Sequence, residues 1–292
     1  MEVTPAAFLA RKARSAVIRA RQLAHPVAVR LTHRLVIERL TLGVCTACEY
    51  DCVSCSHQAI RYRFRRYQMS LDEVRTFIRL TEASGYRIET LHLTGPGEPL
   101  LWAHFTEGVR LLRASSAIGF IEIFSNGLAI DRVDPQAWAA FDRLWVSLYP
   151  ESLHLRPVLE TLRERYPGKL RIRPTEVFRP PVPEGARLPV PCACDCPGPM
   201  VFNGRVFYFC GPPVFDAAAA AGVDLLADAS MSGPLCEDYL HPHARRGLLA
   251  AVDRRHKTGN HELCRTCFAN LNHAPAPQAH RAYIRLRPVP PA

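Results

Sequence analysis

The chain has 292 residues, of which 48% are hydrophobic and 22% are charged. This composition is typical of a globular protein with a buried core, and the sequence holds no apolar run of about 18 residues that could span a bilayer. The N-terminus lacks the apolar segment and cleavage site of a secretory signal, so we expect a cytoplasmic protein whose eleven cysteines stay reduced. Reduced cysteines that cluster in a sequence indicate metal binding rather than disulfides.

The net charge of +10 comes mainly from the N-terminal segment. Residues 1–40 contain eight Lys or Arg against Glu2 and Glu38, and the rest of the chain is nearly balanced. Within a first segment, residues 1–34, residues 6–24 predict a basic amphipathic helix. Such a helix can lie on an anionic membrane surface or act as a transit peptide, but packing on the next domain is favoured. A nucleic-acid partner is not favoured.

From Leu35 onward the sequence alternates between strand and helix patterns. Short hydrophobic runs predict strands, and amphipathic runs predict helices. The five predicted strands are 34–44, 88–95, 120–127, 143–150 and 170–178, and the four predicted helices are 71–85, 104–115, 134–141 and 155–168. This order predicts an α/β fold with a parallel sheet, either open or curled toward a TIM-like (β/α) barrel. Both arrangements bind ligands at the carboxyl ends of the strands.

The character of the sequence changes near residue 180. The Pro-rich stretch "RPPVPEGARLPVPCACDCPGP" indicates a linker, and "MVFNGRVFYFC" after it alternates around Asn203-Gly204, which predicts a β-hairpin. We therefore expect a core domain at residues 35–180 and a small second domain at residues 181–292. The second domain is rich in cysteine: Cys192, Cys194, Cys196, Cys210, Cys236, Cys264 and Cys267.

Four other cysteines lie close together in "GVCTACEYDCVSCSHQ", at the end of the first predicted strand. If Cys45, Cys48, Cys52 and Cys55 all bind, they could close a tetrahedral zinc site or saturate an iron–sulfur cluster. If only the last three bind, three thiolates on a four-iron cluster leave one iron open for a substrate or cofactor. The spacing of these cysteines alone leaves both interpretations open.

Two further motifs follow the next two predicted strands, "TGPGEPLL" and "SNG". Together with the C-x3-C-x2-C spacing of the last three cysteines, they resemble the radical S-adenosylmethionine (SAM) enzyme superfamily. That family has a Gly-Gly-Glu-Pro-like motif and often a ribose-contacting turn at these places. The resemblance covers residues 35–180 and implies a partial (β/α) barrel. The sequence departs from it at Ser54, where the family usually has an aromatic residue near the adenine, so Tyr50 becomes a candidate for that contact.

The resemblance implies a role for each matching residue. Cys48, Cys52 and Cys55 would bind a [4Fe–4S] cluster whose fourth iron is chelated by SAM, which leaves Cys45 as a bystander. Glu98 would accept hydrogen bonds from the SAM ammonium group. The other candidates for SAM binding are Gly95 and Gly97 for close backbone approach, Ser125 and Asn126 for the ribose, and Ser147 and Arg173 on the fourth and fifth strands. A polar barrel residue and a solvated arginine are equally good interpretations of the last two.

The cysteines of the second domain resemble those of the SPASM and twitch auxiliary-cluster domains. Cys196 and Cys210 are followed, after a long gap, by Cys264 and Cys267 in a C-x2-C pair. The resemblance implies a second [4Fe–4S] cluster of the shorter, twitch-like type, and a zinc site with the same four ligands is the alternative. The choice among Cys192, Cys194 and Cys196 as first ligand stays open. Cys236 would be a spare ligand or a buried thiol.

These features lead to a functional hypothesis. The resemblance implies an enzyme that cleaves SAM reductively and abstracts a hydrogen atom from a peptide or small-molecule substrate, with electrons from a reductant such as flavodoxin or ferredoxin. An auxiliary cluster suits an oxidative reaction. The sequence shows neither a Ser-His-Asp or Cys-His arrangement nor a phosphate-binding P-loop, so a hydrolase or a nucleoside-triphosphate enzyme is not supported. The competing class is a non-enzymatic zinc or iron–sulfur protein for binding or electron transfer.

Overall fold

The computed structural model describes residues 35–50, 55, 64, 66–84, 86–175, 200–207 and 232–235. The predicted N-terminal helix and most of the predicted second domain lie outside the described residues. The same is true of five predicted metal ligands: Cys52, Cys196, Cys210, Cys264 and Cys267.

An eight-stranded sheet forms the centre of the described fold. Its strands are β1 (Leu35–Leu42), β2 (Tyr86–Leu93), β3 (Ile118–Ser125), β4 (Arg143–Leu148), β5 (Leu170–Pro174), β6 (Met200–Phe202), β7 (Arg205–Phe207) and β8 (Ser232–Pro234). The order across the sheet is β5-β4-β3-β2-β1-β6-β7-β8. Every pair from β5 to β6 is parallel, and the last two pairs are antiparallel. The carboxyl ends of β1 to β5 therefore lie along one end of the sheet.

Among the described residues, four α-helices connect the parallel strands: α1 (Leu71–Ala83), α2 (Phe105–Ala114), α3 (Pro135–Ala140) and α4 (Arg156–Arg165). α1 begins at a capping box, in which the Ser70 hydroxyl accepts from the Glu73 N–H at 3.2 Å and the Glu73 carboxylate accepts from the Ser70 N–H at 2.7 Å. Pro135 can start α3 because the first turn of a helix does not need its N–H. Among the described residues, no helix is both long enough and apolar enough to cross a membrane.

The hydrophobic core lies between the helices and one face of the sheet. Leu91, Ile123 and Val146, on three neighbouring strands, are fully buried and belong to one cluster with the helix residues Val109 and Trp138. Because successive residues of a strand point to opposite faces, the residues between these positions face away from the helices. That second face carries polar and aromatic side chains.

The predicted α/β core is confirmed. Five parallel strands alternate with four helices in the predicted order, and the strand ends fall close to the predicted places. β1 stops at Leu42 rather than at residue 44, and the first residue after it is Gly43. The hydrophobic periodicity of the sequence was therefore sufficient to predict β1 to β5 and α1 to α4.

The hairpin predicted around Asn203-Gly204 is confirmed as well. β6 and β7 pair antiparallel, and both turn residues have positive φ, 48° and 66°, as a type I′ turn requires. Its placement was not predicted: β6 also pairs in parallel with β1, with Leu42 opposite Val201. The hairpin thus extends the core sheet. The domain boundary at residue 181 stays a prediction.

Candidate functional site

The loops that follow β1 and β2 are joined by backbone hydrogen bonds. The Gly97 N–H donates to the Cys45 carbonyl at 2.8 Å, and the Glu98 N–H donates to the Ala47 carbonyl at 2.6 Å. These bonds hold the "TGPGE" segment along the cysteine-containing loop. The two motifs that the sequence placed at neighbouring strand ends are therefore in direct contact.

Gly97 is required for this contact between loops. A Cβ atom at residue 97 would lie 2.3 Å from the Ala47 carbonyl oxygen and 2.6 Å from the Thr46 carbonyl carbon, distances that no side chain tolerates. Gly95 forms a cis peptide bond with Pro96 in the same segment. At Gly97 the group that approaches closely is thus the backbone of the cysteine-containing loop. The predicted contacts of Gly95 and Gly97 with SAM stay predictions.

Glu98 lies at the centre of the site and is 3% exposed. Its two carboxylate oxygens accept from the backbone N–H groups of Leu100, at 3.0 Å, and Asn126, at 2.8 Å. Burial, followed by the negative charge of nearby Glu49, raises the pKa of Glu98 to about 7, against the opposing effect of its hydrogen bonds. In the described part of the chain no Lys, Arg or His forms an ion pair with this carboxylate.

Asn126 connects the ends of three elements. Its backbone N–H bonds to Glu98, and its side-chain amide donates to a Glu49 carboxylate oxygen at 3.1 Å and lies 3.9 Å from the Cys48 sulfur. Its own carbonyl oxygen accepts from the Leu128 N–H at 2.9 Å, which orients the amide. The neighbouring Ser125 hydroxyl is buried and accepts from the Gly127 N–H at 2.8 Å. The structure thus brings Cys48, Glu98 and the "SNG" turn together, while the predicted ribose contacts stay predictions.

Glu49 is a site residue that the sequence interpretation missed. It is 7% exposed and lies beside Cys48, with its carboxylate bonded to Asn126. The only signal for it in the sequence is an acidic residue inside a cysteine-rich loop, which is ordinary on a protein surface. Its burial depends on the path of the loop, which the sequence does not reveal.

The cysteines of the first loop have different environments. Cys45 is 1% exposed, and its Sγ lies 3.1 Å from the Glu98 carbonyl oxygen, to which the thiol donates. Burial, together with the negative charge of Glu98, raises the pKa of Cys45 well above its ordinary value, which favours the thiol over the thiolate that a metal needs. Cys48 and Cys55 are half-buried. The role of Cys45 as a bystander stays a prediction.

An aromatic pair lies beside Cys48 and Cys55. The rings of Tyr50 and Tyr149 meet edge to face, with centroids 5.4 Å apart, and both cysteines pack against them. Tyr50 is thereby placed next to two predicted cluster ligands. Within the described residues no three His, Cys, Asp or Glu side chains are arranged to hold one metal ion, and the predicted third ligand, Cys52, lies outside them.

Ser147 and Arg173 lie on the fourth and fifth strands of the parallel sheet. They are register partners on β4 and β5, where Ser147 is half-buried and Arg173 is exposed. In the part of the chain that the structure describes, neither side chain hydrogen-bonds to Glu98 or Asn126. Their predicted role in SAM binding therefore stays a prediction. The alternatives are a polar barrel residue for Ser147 and a solvated arginine for Arg173.

A third buried carboxylate, also unpredicted, lies on the face of the sheet away from the helices. Glu122 on β3 accepts hydrogen bonds from the Trp145 indole N–H at 2.7 Å and from His92 Nε2 at 3.0 Å, and it forms an ion pair with Arg143 at 3.2 Å. Burial raises the pKa of Glu122, but the hydrogen bonds and the charges of these partners outweigh it and lower the pKa to about 2. The strand register places these partners: His92 on β2 and Arg143 on β4 stand directly opposite Glu122, and Trp145 lies two residues further along β4.

Comparisons with known proteins identify the fold. No protein-family model matches the sequence, and no curated protein matches it significantly. Among solved structures, the chain is similar to selenomethionine-labelled BtrN in an open conformation, with a TM-score of 0.51 and 14% identity over 78% of this chain and 90% of that one. It is also similar to BtrN in complex with AdoMet and 2-DOIA, with a TM-score of 0.38 and 15% identity over 48% of this chain and 57% of that one. BtrN is a radical SAM enzyme, so the chain has the fold of a radical SAM enzyme.

Proposed function

We propose that the chain is a radical SAM enzyme that binds a [4Fe–4S] cluster and SAM at the carboxyl ends of β1 to β3. One observation carries the proposal: the Glu98 carboxylate is buried at these strand ends, close to Cys48, and no described cation pairs with it. A buried carboxylate without a cation is costly unless a ligand supplies the positive charge. SAM has two positive groups, an ammonium and a sulfonium.

The residues present fit this ligand. Glu98 and Glu49 supply two buried acceptors for an ammonium group, and Cys48 and Cys55 present half-buried sulfur atoms beside Tyr50. The position of these residues, at the end of a parallel sheet, is the place where α/β folds bind ligands. With Cys52, the two cysteines complete the C-x3-C-x2-C set of the sequence.

The protein's own residues would bind the cluster, orient SAM and shield both from solvent. Cys48, Cys52 and Cys55 would hold three irons of the cluster, and the Cys45 thiol would stay outside it. Glu98 would orient the SAM amino acid, and the Asn126 amide would fix the position of the loop that carries Cys48. When bound, the reduced cluster supplies one electron for the reductive cleavage of SAM and so for the abstraction of a hydrogen atom from the substrate.

The finer parts of the proposal rest on the sequence. We propose an oxidative reaction on a peptide or small molecule, assisted by an auxiliary cluster at Cys196, Cys210, Cys264 and Cys267, with flavodoxin or ferredoxin as reductant. A zinc ion on the same four cysteines is the alternative. The support for this part is the twitch-like cysteine spacing alone, and iron and zinc contents of Cys196→Ala test it.

The test of the enzymatic proposal is the formation of 5′-deoxyadenosine. The full chain is reconstituted anaerobically with iron and sulfide, reduced with dithionite and given SAM, and the product is quantified by chromatography. We expect 5′-deoxyadenosine from the intact protein and only background from Cys48→Ala. If the loaded protein leaves SAM intact, the competing function, a non-enzymatic zinc or iron–sulfur protein, replaces the proposal.

A further inference from the structure

Three residues on neighbouring strands form one row across the sheet. Phe124 on β3 is the register partner of Trp145 on β4, and Trp145 is the register partner of Arg171 on β5. The row lies on the face away from the helices, because Val146, the next residue of β4, is buried in the core on the other face. Phe124 stands two residues before Asn126, so the row begins about 7 Å along the strand from the candidate site.

The protein itself orients the two aromatic rings of this row. The Trp145 indole N–H donates to the Glu122 carboxylate at 2.7 Å, and the Phe124 ring meets the His92 ring edge to face, with centroids 5.0 Å apart. The rings of Phe124 and Trp145 are parallel within 4°, with centroids 6.5 Å apart, and both residues are half-buried. Because the indole N–H is already used, these side chains offer a ligand only their aromatic surface, which favours contact with another ring.

The same face carries more positive than negative charge. On β3, β4 and β5 its charged residues are three arginines, Arg143, Arg171 and Arg173, and one carboxylate, Glu122. Glu122 pairs with Arg143 at 3.2 Å, and the Nε–H of Arg143 is buried without an acceptor. Arg171 is exposed and forms no ion pair with any residue that the structure describes. This face therefore has guanidinium donors in excess of acceptors, and an anionic ligand would balance them.

We propose that Phe124, Trp145 and Arg171 bind the substrate, and that the substrate is a small molecule with a planar ring and a carboxylate. The inference rests on the proposed function and adds the chemical class of the substrate to it. The ring would lie against the aromatic pair, and the Arg171 guanidinium would bind the carboxylate through two parallel hydrogen bonds. An aromatic wall with one charged group at its edge is a usual composition of a small-molecule site. A ligand on this row would lie next to SAM at the strand ends.

A purely structural role for the row makes a different prediction. If the two rings only complete the sheet and Arg171 is a solvated arginine, the protein does not distinguish a planar anion from a neutral or non-planar relative. Three probes separate the contributions: indole-3-acetate has a planar ring and a carboxylate, indole-3-acetamide lacks the charge, and cyclohexylacetate lacks the planar ring.

The experiment measures binding of each probe to the anaerobically reconstituted full chain by equilibrium dialysis, in the presence of SAM. We expect the intact protein to bind indole-3-acetate at least about tenfold more tightly than either of the other probes, since each of them loses one of the two contacts. The dissociation constant of SAM is measured on the same samples.

Two variants test the two contacts separately. Arg171→Gln should weaken binding of indole-3-acetate about tenfold, the effect of hydrogen bonds to a charged group, and leave indole-3-acetamide within about twofold. Phe124→Leu should weaken both indoles and leave cyclohexylacetate unchanged. Arg110→Gln, which changes an exposed arginine of α2, is the matched control and should behave as the intact protein with all three probes.

The outcomes separate this inference from the proposed function. If the intact, iron-loaded protein binds no SAM, the proposed function fails and the substrate role of the row fails with it. If SAM binds but the intact protein has equal affinity for the three probes, or Arg171→Gln keeps the full preference for the anion, only the substrate class is overturned. A weaker affinity of Arg171→Gln for SAM itself, with unchanged binding of the probes, would place Arg171 in the SAM site and also overturn the inference.

Discussion

Glu98 and Glu122 are both buried carboxylates near the same parallel strands, yet their surroundings are opposite. Glu122 has an imidazole, a guanidinium and an indole N–H around it, and these lower its pKa to about 2. Glu98 has two backbone N–H donors, the Ser125 hydroxyl and a second carboxylate nearby, all without positive charge, and its pKa is raised to about 7. Protein residues therefore supply the positive charge that Glu122 needs, whereas the described residues leave Glu98 without any.

The contrast shows how to tell a structural carboxylate from a binding one. A carboxylate whose cations come from the neighbouring strands of its own sheet stabilises the fold. A carboxylate that is buried at the strand ends without a cation destabilises the free protein and gains its partner on binding. On this basis Glu98 belongs to function and Glu122 to folding.

The largest effect is expected at Glu98. Glu98→Gln keeps the shape of the side chain but removes the charge that would pair with the SAM ammonium, so the rate of 5′-deoxyadenosine formation should fall about 100-fold. The measurement is the initial rate at fixed SAM and equal iron content. At pH 4.5 and below, where Glu98 is protonated in the folded protein, the variant should be as stable as the original within about 1 kcal/mol. A variant as active as the intact protein would contradict the assignment.

At Glu122 the expected effect is on stability. Glu122→Gln removes the charge that His92 and Arg143 pair with, so we expect the free energy of unfolding to fall by about 3 kcal/mol, as measured by urea denaturation. The rate of SAM cleavage per folded molecule should stay within about threefold of the original. A stable but inactive Glu122→Gln would instead place Glu122 in the active site.

The pH dependence of stability should have opposite signs at the two residues. Glu98 has a folded pKa of about 7 against an ordinary value of 4.5, so the folded state binds its proton more tightly, and stability is lost as the pH rises from 4.5 to 7. The loss is about 3 kcal/mol at most. Glu122, with a folded pKa of about 2, contributes stability that is present above pH 4.5 and lost as the pH falls toward 2.

Unfolding curves between pH 3 and pH 8 measure this difference. Glu98→Gln should gain stability relative to the intact protein as the pH rises, whereas the deficit of Glu122→Gln should shrink as the pH falls below 4.5. Parallel pH profiles for the three proteins would show that neither carboxylate has a perturbed pKa.

The smallest effect is expected at Cys45. Its buried thiol donates to the Glu98 carbonyl, and Cys45→Ala removes that one bond without removing a cluster ligand. SAM cleavage should therefore stay within about twofold of the original. Cys48→Ala, which changes an identical side chain three residues away, is the control that should abolish it. Loss of the cluster in Cys45→Ala would show that all four cysteines bind metal.

Much of the fold could be predicted from the sequence because its signals are local. The alternation of apolar residues predicted β1 to β5 and α1 to α4, and Asn203-Gly204 predicted the hairpin. The partner of the hairpin could not be predicted, because pairing of β6 with β1 joins residues that are far apart in the chain. No local pattern encodes such a long-range pair.

The same distinction applies to the candidate site. Glu98 and Asn126 were recognisable because each stands in a motif directly after a strand. Glu49 was not, since its burial depends on how the first loop meets Asn126. Likewise, the partners of Glu122 follow from strand register, which the periodicity of a single strand does not determine.

The most direct test of the account is the affinity for SAM of three proteins with equal iron content: the intact chain, Glu98→Gln and Glu122→Gln. Equilibrium dialysis under anaerobic conditions, at a temperature where all three are folded, gives the dissociation constants. The account predicts that Glu98→Gln binds SAM about 100-fold more weakly and that Glu122→Gln binds it within about threefold of the intact chain. Equal affinity of the intact chain and Glu98→Gln would contradict it.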